Sequence, residues 1–329
     1  MPFRIGSKGT HHRFGKCGDR GYHVPVPKEP QHISVLHDEV LHALSVKAGQ
    51  TVVDCTVGLG GHSAAILERV GPTGRLIGID LDPANLAFAR QRRAEIAPNF
   101  TLHNTHDAAL PAVLAEAGID RVDGILADVG VASPQIDDPD RGFSYRRPGP
   151  LDMRMDPTRG QPASEWVNRL SEAELADALL TLGDEDDADR IARLIVKRRQ
   201  EQPITTTEQL MAIVCEARDF TLRRAAGAKL HPAARTFQAL RMLVNRELPN
   251  LQRLLDVLPD CLADRGRAAI ISFHSGEDRL VKRTFRDGRR SGIYSAISED
   301  PITADAAETR ANPRARSAKL RWAVRGARP

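Results

Sequence analysis

Short apolar runs alternate with amphipathic stretches along the first part of the chain. A stripe of apolar residues at helical spacing comes first, at Val35, Leu36, Val40, Leu41 and Leu44. Four runs then predict buried strands, and they read "QTVVDCTV", "GRLIGIDLD", "FTLHNTH" and "VDGILADV". Helical patterns follow the first two of these strands, after Gly61 and from Pro83 to Glu95. Strands that alternate with helices predict a parallel sheet with right-handed crossovers.

The alternation stops near Asp137, and residues 137–234 carry helix signals with no convincing strand. There "SEWVNRLSEAELADALLTL" predicts a helix that begins at a serine cap, and Thr205 and Glu208 have the spacing of a capping box. Two more strands are predicted further on, in "RGRAAIISFHS" and "AKLRWAVRG". We therefore predict a sheet domain built from residues 32–136 and 235–329. Residues 137–234 are predicted to form an inserted all-helical domain of typical size.

The segment "ARTFQALRMLVNREL" predicts a helix with two different faces. Its apolar face consists of Phe237, Leu240, Val244 and Leu248. A polar stripe lies opposite, at Gln238, Arg241 and Asn245. A solvated surface is the simple interpretation of this stripe, and a stripe that faces RNA or braces a loop is the alternative.

Charge and cysteine usage narrow the function classes. The net charge is +4, and residues 1–31 and 301–329 hold six and seven Lys or Arg against two acidic residues each. Basic ends on an enzyme-sized chain favour a nucleic-acid partner. The four cysteines are dispersed with no CxxC pair, which argues against a zinc ribbon or a disulfide framework, and no metal site is predicted. We expect a cytoplasmic protein, with residues 1–31 as a basic, disordered extension.

Carboxylates end three of the predicted strands, at Asp54, Asp80 and Asp128. Ligands bind at the carboxyl ends of strands in open α/β sheets, and Asp80 is placed to accept both hydroxyls of a ribose. Asp54 equally well caps its own turn. Glycines at positions 58, 60 and 61 let a ligand approach the backbone, but their spacing is not the dinucleotide fingerprint. Because carboxylates would repel a pyrophosphate, the cationic ligand S-adenosyl-L-methionine suits this edge better.

Long motifs across residues 32–324 resemble one family of enzymes. The motifs are "HISVLHDEVL", "DCTVGLGGHS", "GIDLDP", "DGILADVGVASPQIDDPDRGFSYRRPGPLDMRMD", "RTFQALRMLVNREL", "FHSGEDRLVK" and "NPRARSAKLR". They are similar to those of the bacterial 16S rRNA (cytosine-N4)-methyltransferases of the RsmH (MraW) family. The resemblance implies a class I, Rossmann-like α/β methyltransferase sheet with an inserted helical domain. It also implies S-adenosyl-L-methionine as cofactor and the 16S rRNA of the 30S ribosomal subunit as substrate, with a cytosine of the decoding centre as target.

The resemblance also implies a set of cofactor-binding residues. Carried over by motif, these are Gly60, Gly61, His62, Asp80, Asp128 and Gln135, and His106 is added at a position where this chain departs from the motif. His106 stands where the family usually has Phe, and Gly276 stands where it usually has Leu.

The segment "RGFSYRRPGPLDMRMD", residues 141–156, is predicted to bind substrate. A target base must leave its stack to be methylated, and Phe143 and Tyr145 are suited to pack it. Four arginines are suited to grip phosphates, at Arg141, Arg146, Arg147 and Arg154. Met153 and Met155 are expected to anchor the segment in the inserted domain. The alternative is a structural linker between two domains.

Methylation of an amino nitrogen needs an acceptor for its proton. We expect Asp128, or a main-chain carbonyl in residues 129–134, to fill this role, with Asp152 as the second candidate. Asp128 is an equally good candidate for holding the cofactor alone. His274 is expected either to hydrogen-bond substrate or to be structural. The arginines of "NPRARSAKLRWAVRG" are expected to contact phosphates.

Three other functions are compatible with parts of the pattern. An NAD-dependent oxidoreductase would use a similar sheet, although the glycine spacing disfavours it. A methyltransferase acting on DNA or small molecules would use the same pocket. A non-catalytic RNA-binding assembly factor would keep the cofactor site. The oligomeric state stays open, and a homodimer is one alternative.

Overall fold

The computed structural model describes residues 34–93, 99–228 and 231–327. The predicted disordered extension, residues 1–31, lies outside this part of the chain. The strands are β1 (Thr51–Asp54), β2 (Arg75–Asp80), β3 (Phe100–Asn104), β4 (Val122–Asp128), β5 (Leu262–Ser272), β6 (Tyr294–Ile297) and β7 (Lys319–Arg325). The first helices are α1 (His37–Leu44), α2 (Gly61–Val70), α3 (Pro83–Arg93), α4 (Leu110–Glu116) and α5 (Ser133–Asp137). Next come α6 (Ala163–Arg169), α7 (Glu172–Gly183), α8 (Ala188–Glu201), α9 (Thr207–Ala217) and α10 (Leu222–Ala226). The last are α11 (Ala234–Asn245), α12 (Glu247–Cys261), α13 (Ser275–Arg290) and α14 (Ala306–Ala311).

The seven strands form one sheet in the order β3-β2-β1-β4-β5-β7-β6. The first five strands run parallel, and β7 runs antiparallel to both β5 and β6. The chain moves outward from β1 in one direction and from β4 in the other, so the strand order reverses between β1 and β4. A crevice at such a reversal is where open α/β sheets bind ligands. The predicted α/β sheet is confirmed, while the short strand β6 was not predicted.

Side chains alternate between the two faces of the sheet and are buried on both. Val52, Leu76 and Leu126 pack with α1 and α2 on one face. Their chain neighbours Val53, Ile77 and Ile125 pack with α4, α12 and α13 on the other. Burial on both faces explains the continuous apolar runs of the parallel strands.

A third hydrophobic core lies among helices rather than against the sheet. It is formed by α6, α7, α8, α9 and α11, together with Phe143, Leu151 and Met153. Because α11 supplies Phe237 and Leu240 to this core, the helical packing extends past residue 234, where the predicted insertion ends. The division of the chain into domains stays a prediction.

Four helix boundaries differ from their predictions. The single helix predicted to begin at a serine cap is two helices. The first, α6, starts at Ala163 after Pro162, so Ser164 does not cap it, and Ser171 starts α7 with a capping box that includes Glu174. The predicted Thr205 box lies one residue later, at Thr206 and Gln209. Two non-glycine residues with left-handed φ angles account for the others: Leu36 (51°) precedes α1, and Arg246 (51°) separates α11 from α12. Leu248 is therefore in α12, not on the apolar face of α11.

None of the helices in the described part of the chain combines the length and apolar composition needed to cross a membrane.

Candidate active site

A cavity of about 350 Å³ lies at the carboxyl ends of β1, β2, β4 and β5, where the strand order reverses. Six of the seven predicted cofactor residues line it, namely Gly61, His62, Asp80, His106, Asp128 and Gln135. The seventh, Gly60, is the N-cap of α2 and lies between the lining residues Leu59 and Gly61. The fold thus brings the predicted residues together around one space.

The turn between β1 and α2 needs its glycines. Gly58 and Gly60 adopt left-handed φ angles of 52° and 78°, a conformation that glycine reaches at low cost. A Cβ atom at Gly61 would lie 1.9 Å from the Ser34 hydroxyl oxygen, so no larger residue fits there without a shift. The turn holds the start of α2 against the cavity.

Asp54 braces this turn from below. One carboxylate oxygen accepts a hydrogen bond from the Thr56 backbone N–H (3.1 Å), and the other accepts one from the Ser63 hydroxyl (2.5 Å). Burial raises the pKa of Asp54 to about 6, and these hydrogen bonds partly oppose the rise. Asp54 does not line the cavity, so the structure supports the turn-capping alternative for it.

Asp80 faces the cavity and is 8% exposed. Its oxygens accept hydrogen bonds from the backbone N–H groups of Gly58 (2.7 Å) and Asp82 (2.8 Å). Burial raises its pKa to about 6, against the lowering effect of these bonds. The Asn85 amide also donates to both oxygens, at 3.3 and 3.4 Å. An ionised carboxylate offers about four acceptor positions, so ribose hydroxyls would bind Asp80 in place of these two long contacts.

Asp128 is the carboxylate that the protein leaves open. Its Oδ1 atom is buried and has no hydrogen-bond partner among the described residues, and its Oδ2 atom lies 3.7 Å from His62 Nε2. Burial raises the pKa of Asp128 to about 8, with further contributions from the negative charges of Asp54 and Glu277. A buried acceptor without a donor costs stability, so such groups mark candidate binding or catalytic positions.

Asp82 ties this carboxylate edge to segment 141–156. It is 1% exposed, and its Oδ2 atom accepts a hydrogen bond from Gln135 Nε2 (2.7 Å) and forms an ion pair with Arg141 Nη1 (2.9 Å). The Nη2 group of Arg141 donates to the backbone carbonyls of Arg154 (3.0 Å) and Met155 (2.9 Å). Met155 itself lines the cavity. Arg141 therefore connects Asp82, at the cofactor edge, with the part of segment 141–156 that lines the cavity. Its guanidinium group is used within the protein and is not free to bind a phosphate.

Asp82 was not predicted from the sequence. It is the second aspartate of "GIDLDP", two residues beyond Asp80, and this second carboxylate next to the strand end is the feature that could have indicated it.

Arg154 and Asp152 are engaged with each other. Arg154 donates two hydrogen bonds to the Asp152 carboxylate, at 2.8 and 2.7 Å. Partial burial raises the pKa of Asp152, but hydrogen bonds from Arg154 outweigh it and the pKa lies below its usual value. Asp152 does not line the cavity. These contacts favour a structural role for both residues over proton acceptance or phosphate binding.

The aromatic residues of the segment line a second groove. This groove shares Val131, Ile136, Arg241 and Arg314 with the cavity. Phe143 and Tyr145 both line it, and Tyr145 stacks on His231 at 4.4 Å. Arg146 lies over the Tyr145 ring, and Arg147 pairs with Asp137 at 3.2 Å. The groove and the cavity thus meet beside an aromatic wall.

The polar stripe of α11 braces the segment from the other side. Asn245 accepts a hydrogen bond from the Met155 N–H (2.8 Å) and donates one to the Met153 carbonyl (2.8 Å). Of the alternatives for the polar stripe, Asn245 therefore braces a loop, namely segment 141–156. Met153 is fully buried in the helical core, as predicted, and Met155 packs against it.

His274 holds the start of α13. Its Nδ1 atom accepts a hydrogen bond from the Glu277 N–H (3.4 Å), and its Nε2 atom lies 2.9 Å from Glu277 Oε1 without hydrogen-bond geometry. His274, Glu277 and Glu247 bring three possible metal ligands together. However, Arg241 already binds both oxygens of Glu247 at 2.8 Å and balances their charge. The structural interpretation of His274 fits these contacts, and His274 does not line the cavity.

The cavity is rich in acidic groups. Asp80, Asp107, Asp128, Glu247 and Glu277 line it, against the cations Arg241 and Arg314. The open Oδ1 atom of Asp128 adds an acceptor without a donor. This lining fits a cationic, hydroxyl-bearing ligand such as S-adenosyl-L-methionine better than a polyanion.

Comparisons with known proteins agree with this chemistry. A model of the MraW methylase family matches residues 29–326. A ribosomal RNA small subunit methyltransferase H of Nitratidesulfovibrio vulgaris is 47% identical over 310 residues, covering 89% of this chain and 85% of the relative. Its namesake in Sorangium cellulosum is 46% identical over 301 residues, covering 92% and 93%.

A solved putative methyltransferase from Streptococcus mutans, in complex with SAH, covers 89% of this chain and 99% of its own. It is 9% identical with a TM-score of 0.41, too low to bear on function. The family match and the sheet confirm the predicted class I methyltransferase fold and S-adenosyl-L-methionine as cofactor. Because the family model spans nearly all of the described residues, the chain belongs to the MraW methylase family.

Proposed function

We propose that this chain methylates the exocyclic N4 nitrogen of a cytosine in the decoding centre of 16S rRNA, within the small ribosomal subunit. The names of the curated relatives support the small-subunit rRNA as substrate. The observation that carries the chemistry is the open Oδ1 atom of Asp128 at the cavity wall. The reaction would then take place in the cytoplasm, where the small subunit is assembled. The homodimer stays a prediction.

Different residues around the cavity would contact different parts of S-adenosyl-L-methionine. When bound, this cofactor supplies an electrophilic methyl group on a sulfonium. The β1–α2 turn, with Gly60, Gly61 and His62, would contact it through backbone at the start of α2. Asp80 would accept ribose hydroxyls, and Gln135 and His106 would complete the wall.

Asp128 would act on the amino group of the target base. The lone pair of this nitrogen is delocalised into the ring, so an acceptor for an N–H group favours the geometry of attack. As the nitrogen gains the methyl group, it must lose one proton, and the Oδ1 atom is available to take it. A carboxylate whose pKa is raised to about 8 holds a proton more readily than an ordinary aspartate. Positioning supplies the remaining acceleration.

The groove beside the cavity would receive the flipped cytosine. Phe143 and Tyr145 supply aromatic surface there, and Arg314 is 40% exposed at the point where groove and cavity meet. The helices of residues 137–234 hold this wall in place through their own core. We therefore assign substrate recognition to this helical part of the chain.

The test is mass spectrometry of digested small-subunit rRNA after incubation with isotopically labelled S-adenosyl-L-methionine and unmethylated 30S subunits. We expect labelled N4-methylcytidine at one site, and labelling slower by about 10²–10⁴-fold with Asp128→Asn protein that still binds the cofactor. Label on DNA or a free nucleoside but not on subunits or rRNA would overturn the substrate assignment. Cofactor binding without label on any of these would favour a non-catalytic assembly role.

A further inference from the structure

Two helices of this protein carry many basic residues, but their charges are balanced very differently. On α8, Arg190 pairs with Asp219 (2.8 Å), Arg193 with Glu172 (3.5 Å) and Arg198 with Glu216 (2.7 Å). Such a surface is typical of a solvated, salt-bridged helix. Its charges are largely neutralised within the protein.

On α13 the charges are arranged on one face. Arg279, Arg283, Arg286 and Arg290 follow one another at spacings of four, three and four residues. Residues at this spacing share one side of a helix, and all four side chains are exposed. The opposite side is buried in the sheet core through Val281 and Phe285. We call these four arginines the α13 stripe.

The acidic residues of α13 leave most of this stripe uncompensated. Glu277 is buried and faces His274, and Asp278 is bound by Arg321 (2.6 Å) and Lys319 (3.4 Å). Asp287 pairs with Arg290. Within the part of the chain that the structure describes, Arg279, Arg283 and Arg286 have no ion-pair partner.

The stripe begins beside the candidate active site. Glu277, in the first turn of α13, lines the cavity, and Arg279 follows two residues later. From Arg279 to Arg290 the helix rises about 16 Å at about 1.5 Å per residue. Glu277 lies on the buried side of α13 with Val281, so the stripe is on the outer side of the same helix. It begins within one helical turn of the cavity along the axis and runs along the flank of the sheet, on elements separate from segment 141–156.

We infer that the α13 stripe is a second contact surface for the substrate rRNA and binds its phosphodiester backbone. This inference rests on the proposed rRNA substrate. Exposed guanidinium groups without internal partners are suited to phosphates, and such contacts orient the RNA without reading its sequence. The stripe would hold the rRNA that flanks the target while the groove receives the base.

The test compares two triple variants with equal loss of charge. R279Q/R283Q/R286Q removes uncompensated arginines from α13, and R190Q/R193Q/R198Q removes ion-paired ones from α8. Binding to 16S rRNA and to unmethylated 30S subunits is measured across a salt series. Each lost phosphate contact lowers the slope of log K against log salt by about 0.7–0.9, so the α13 variant should lose about 2–3 in slope and on the order of tenfold to a hundredfold in affinity.

Other readouts separate the possible failures. We expect the α13 variant to bind S-adenosyl-L-methionine normally and to keep the wild-type rate at saturating RNA, and the α8 variant to keep the wild-type slope. An unchanged slope in an α13 variant that is folded and binds cofactor overturns the inference while wild-type methylation stands. Weaker binding to 30S subunits but not to naked 16S rRNA would also overturn it, because it would place a ribosomal protein on the stripe. If the wild-type protein methylates no rRNA, the proposed function itself fails.

Discussion

Two buried aspartates, at the ends of the neighbouring strands β1 and β4, differ in whether the protein satisfies their hydrogen bonds. Asp54, at the end of β1, gives both oxygens to its own turn, through Thr56 and Ser63. Asp128, at the end of β4, keeps its Oδ1 atom without a partner among the described residues and faces the cavity. Both pKa values are raised by burial, to about 6 for Asp54 and about 8 for Asp128.

The difference separates a structural carboxylate from a functional one. Hydrogen bonds from the protein oppose the effect of burial at Asp54, whereas at Asp128 two nearby negative charges add to it. A protein that leaves such an acceptor unsatisfied loses stability, which an advantage in binding or catalysis must offset. Substitutions at the two positions should therefore have opposite consequences for activity and stability.

The largest effect is expected for Asp128→Asn. The substitution removes the proton acceptor while keeping the size of the side chain, and general-base catalysis typically contributes about 10²–10⁴-fold. We expect the rate of methyl transfer at saturating cofactor and RNA to fall within that range, measured by incorporation of labelled methyl groups. Because its raised pKa of about 8 keeps most of the Asp128 carboxyl protonated at pH 7, the thermal midpoint should hold there. Above pH 8, where the wild-type group carries a buried charge, the variant should be the more stable of the two. A rate within a few fold of wild type would leave Asp128 only the role of holding the cofactor.

The next effect is expected for Arg141→Lys. Lysine keeps the positive charge beside Asp82 but lacks the planar fork that also reaches the carbonyls of Arg154 and Met155. A misplaced wall should lower kcat on the order of tenfold to a hundredfold, with little change in cofactor affinity. The control is R159K, since the exposed Arg159 forms an ion pair with Asp156 (3.4 Å) and lines neither the cavity nor the groove. Equal, small effects of the two substitutions would show that Arg141 does not position segment 141–156 for catalysis.

Asp54→Asn should act on stability more than on chemistry. An amide leaves one of the two donors, the Thr56 N–H or the Ser63 hydroxyl, without its acceptor, at a cost of about 1–3 kcal/mol. We expect a lower thermal midpoint in calorimetry and, for the folded fraction, methyl transfer within several fold of wild type. A loss of activity as deep as that of D128N, at unchanged stability, would contradict the distinction between the two aspartates.

The smallest effect is expected for Asp152→Asn. Its carboxylate lies outside the cavity and is paired with Arg154, and partly exposed ion pairs typically contribute about 0–1 kcal/mol. The rate of methyl transfer should change by less than about fivefold. A larger loss in rate, without unfolding, would indicate that Asp152 is the proton acceptor after all.

Much of the sheet and of the cofactor edge was predictable from the sequence, because local patterns determine both. Strands buried on two faces appear as apolar runs, and the ends of parallel strands meet at one edge. The segment around Arg141 was not predictable in the same way. Its arginines look alike in the sequence, and the carboxylate that binds Arg141 comes from Asp82, a residue 59 positions earlier in the chain.

Some helix boundaries were predicted wrongly for a related reason, because side-chain contacts decide them. The predicted serine-capped helix was one uninterrupted apolar pattern, and it is divided by the capping box that Ser171 and Glu174 form inside it. The partners of α8 and α13 were likewise invisible, since ion pairs such as Arg190–Asp219 join residues on different elements. Composition counts charges, whereas the fold decides which of them are neutralised.

The most direct test of the open carboxylate is the single-turnover rate of methyl transfer against pH, for wild type and D128N. Asp128 accepts a proton only when ionised, and its pKa is raised to about 8. At subsaturating cofactor, the wild-type rate should therefore rise with pH with a midpoint near 8, and a bound cation should shift this midpoint lower. The D128N rate should be low and independent of pH across the same range. Profiles of the same height and shape for the two proteins would contradict the assignment of Asp128 as the proton acceptor.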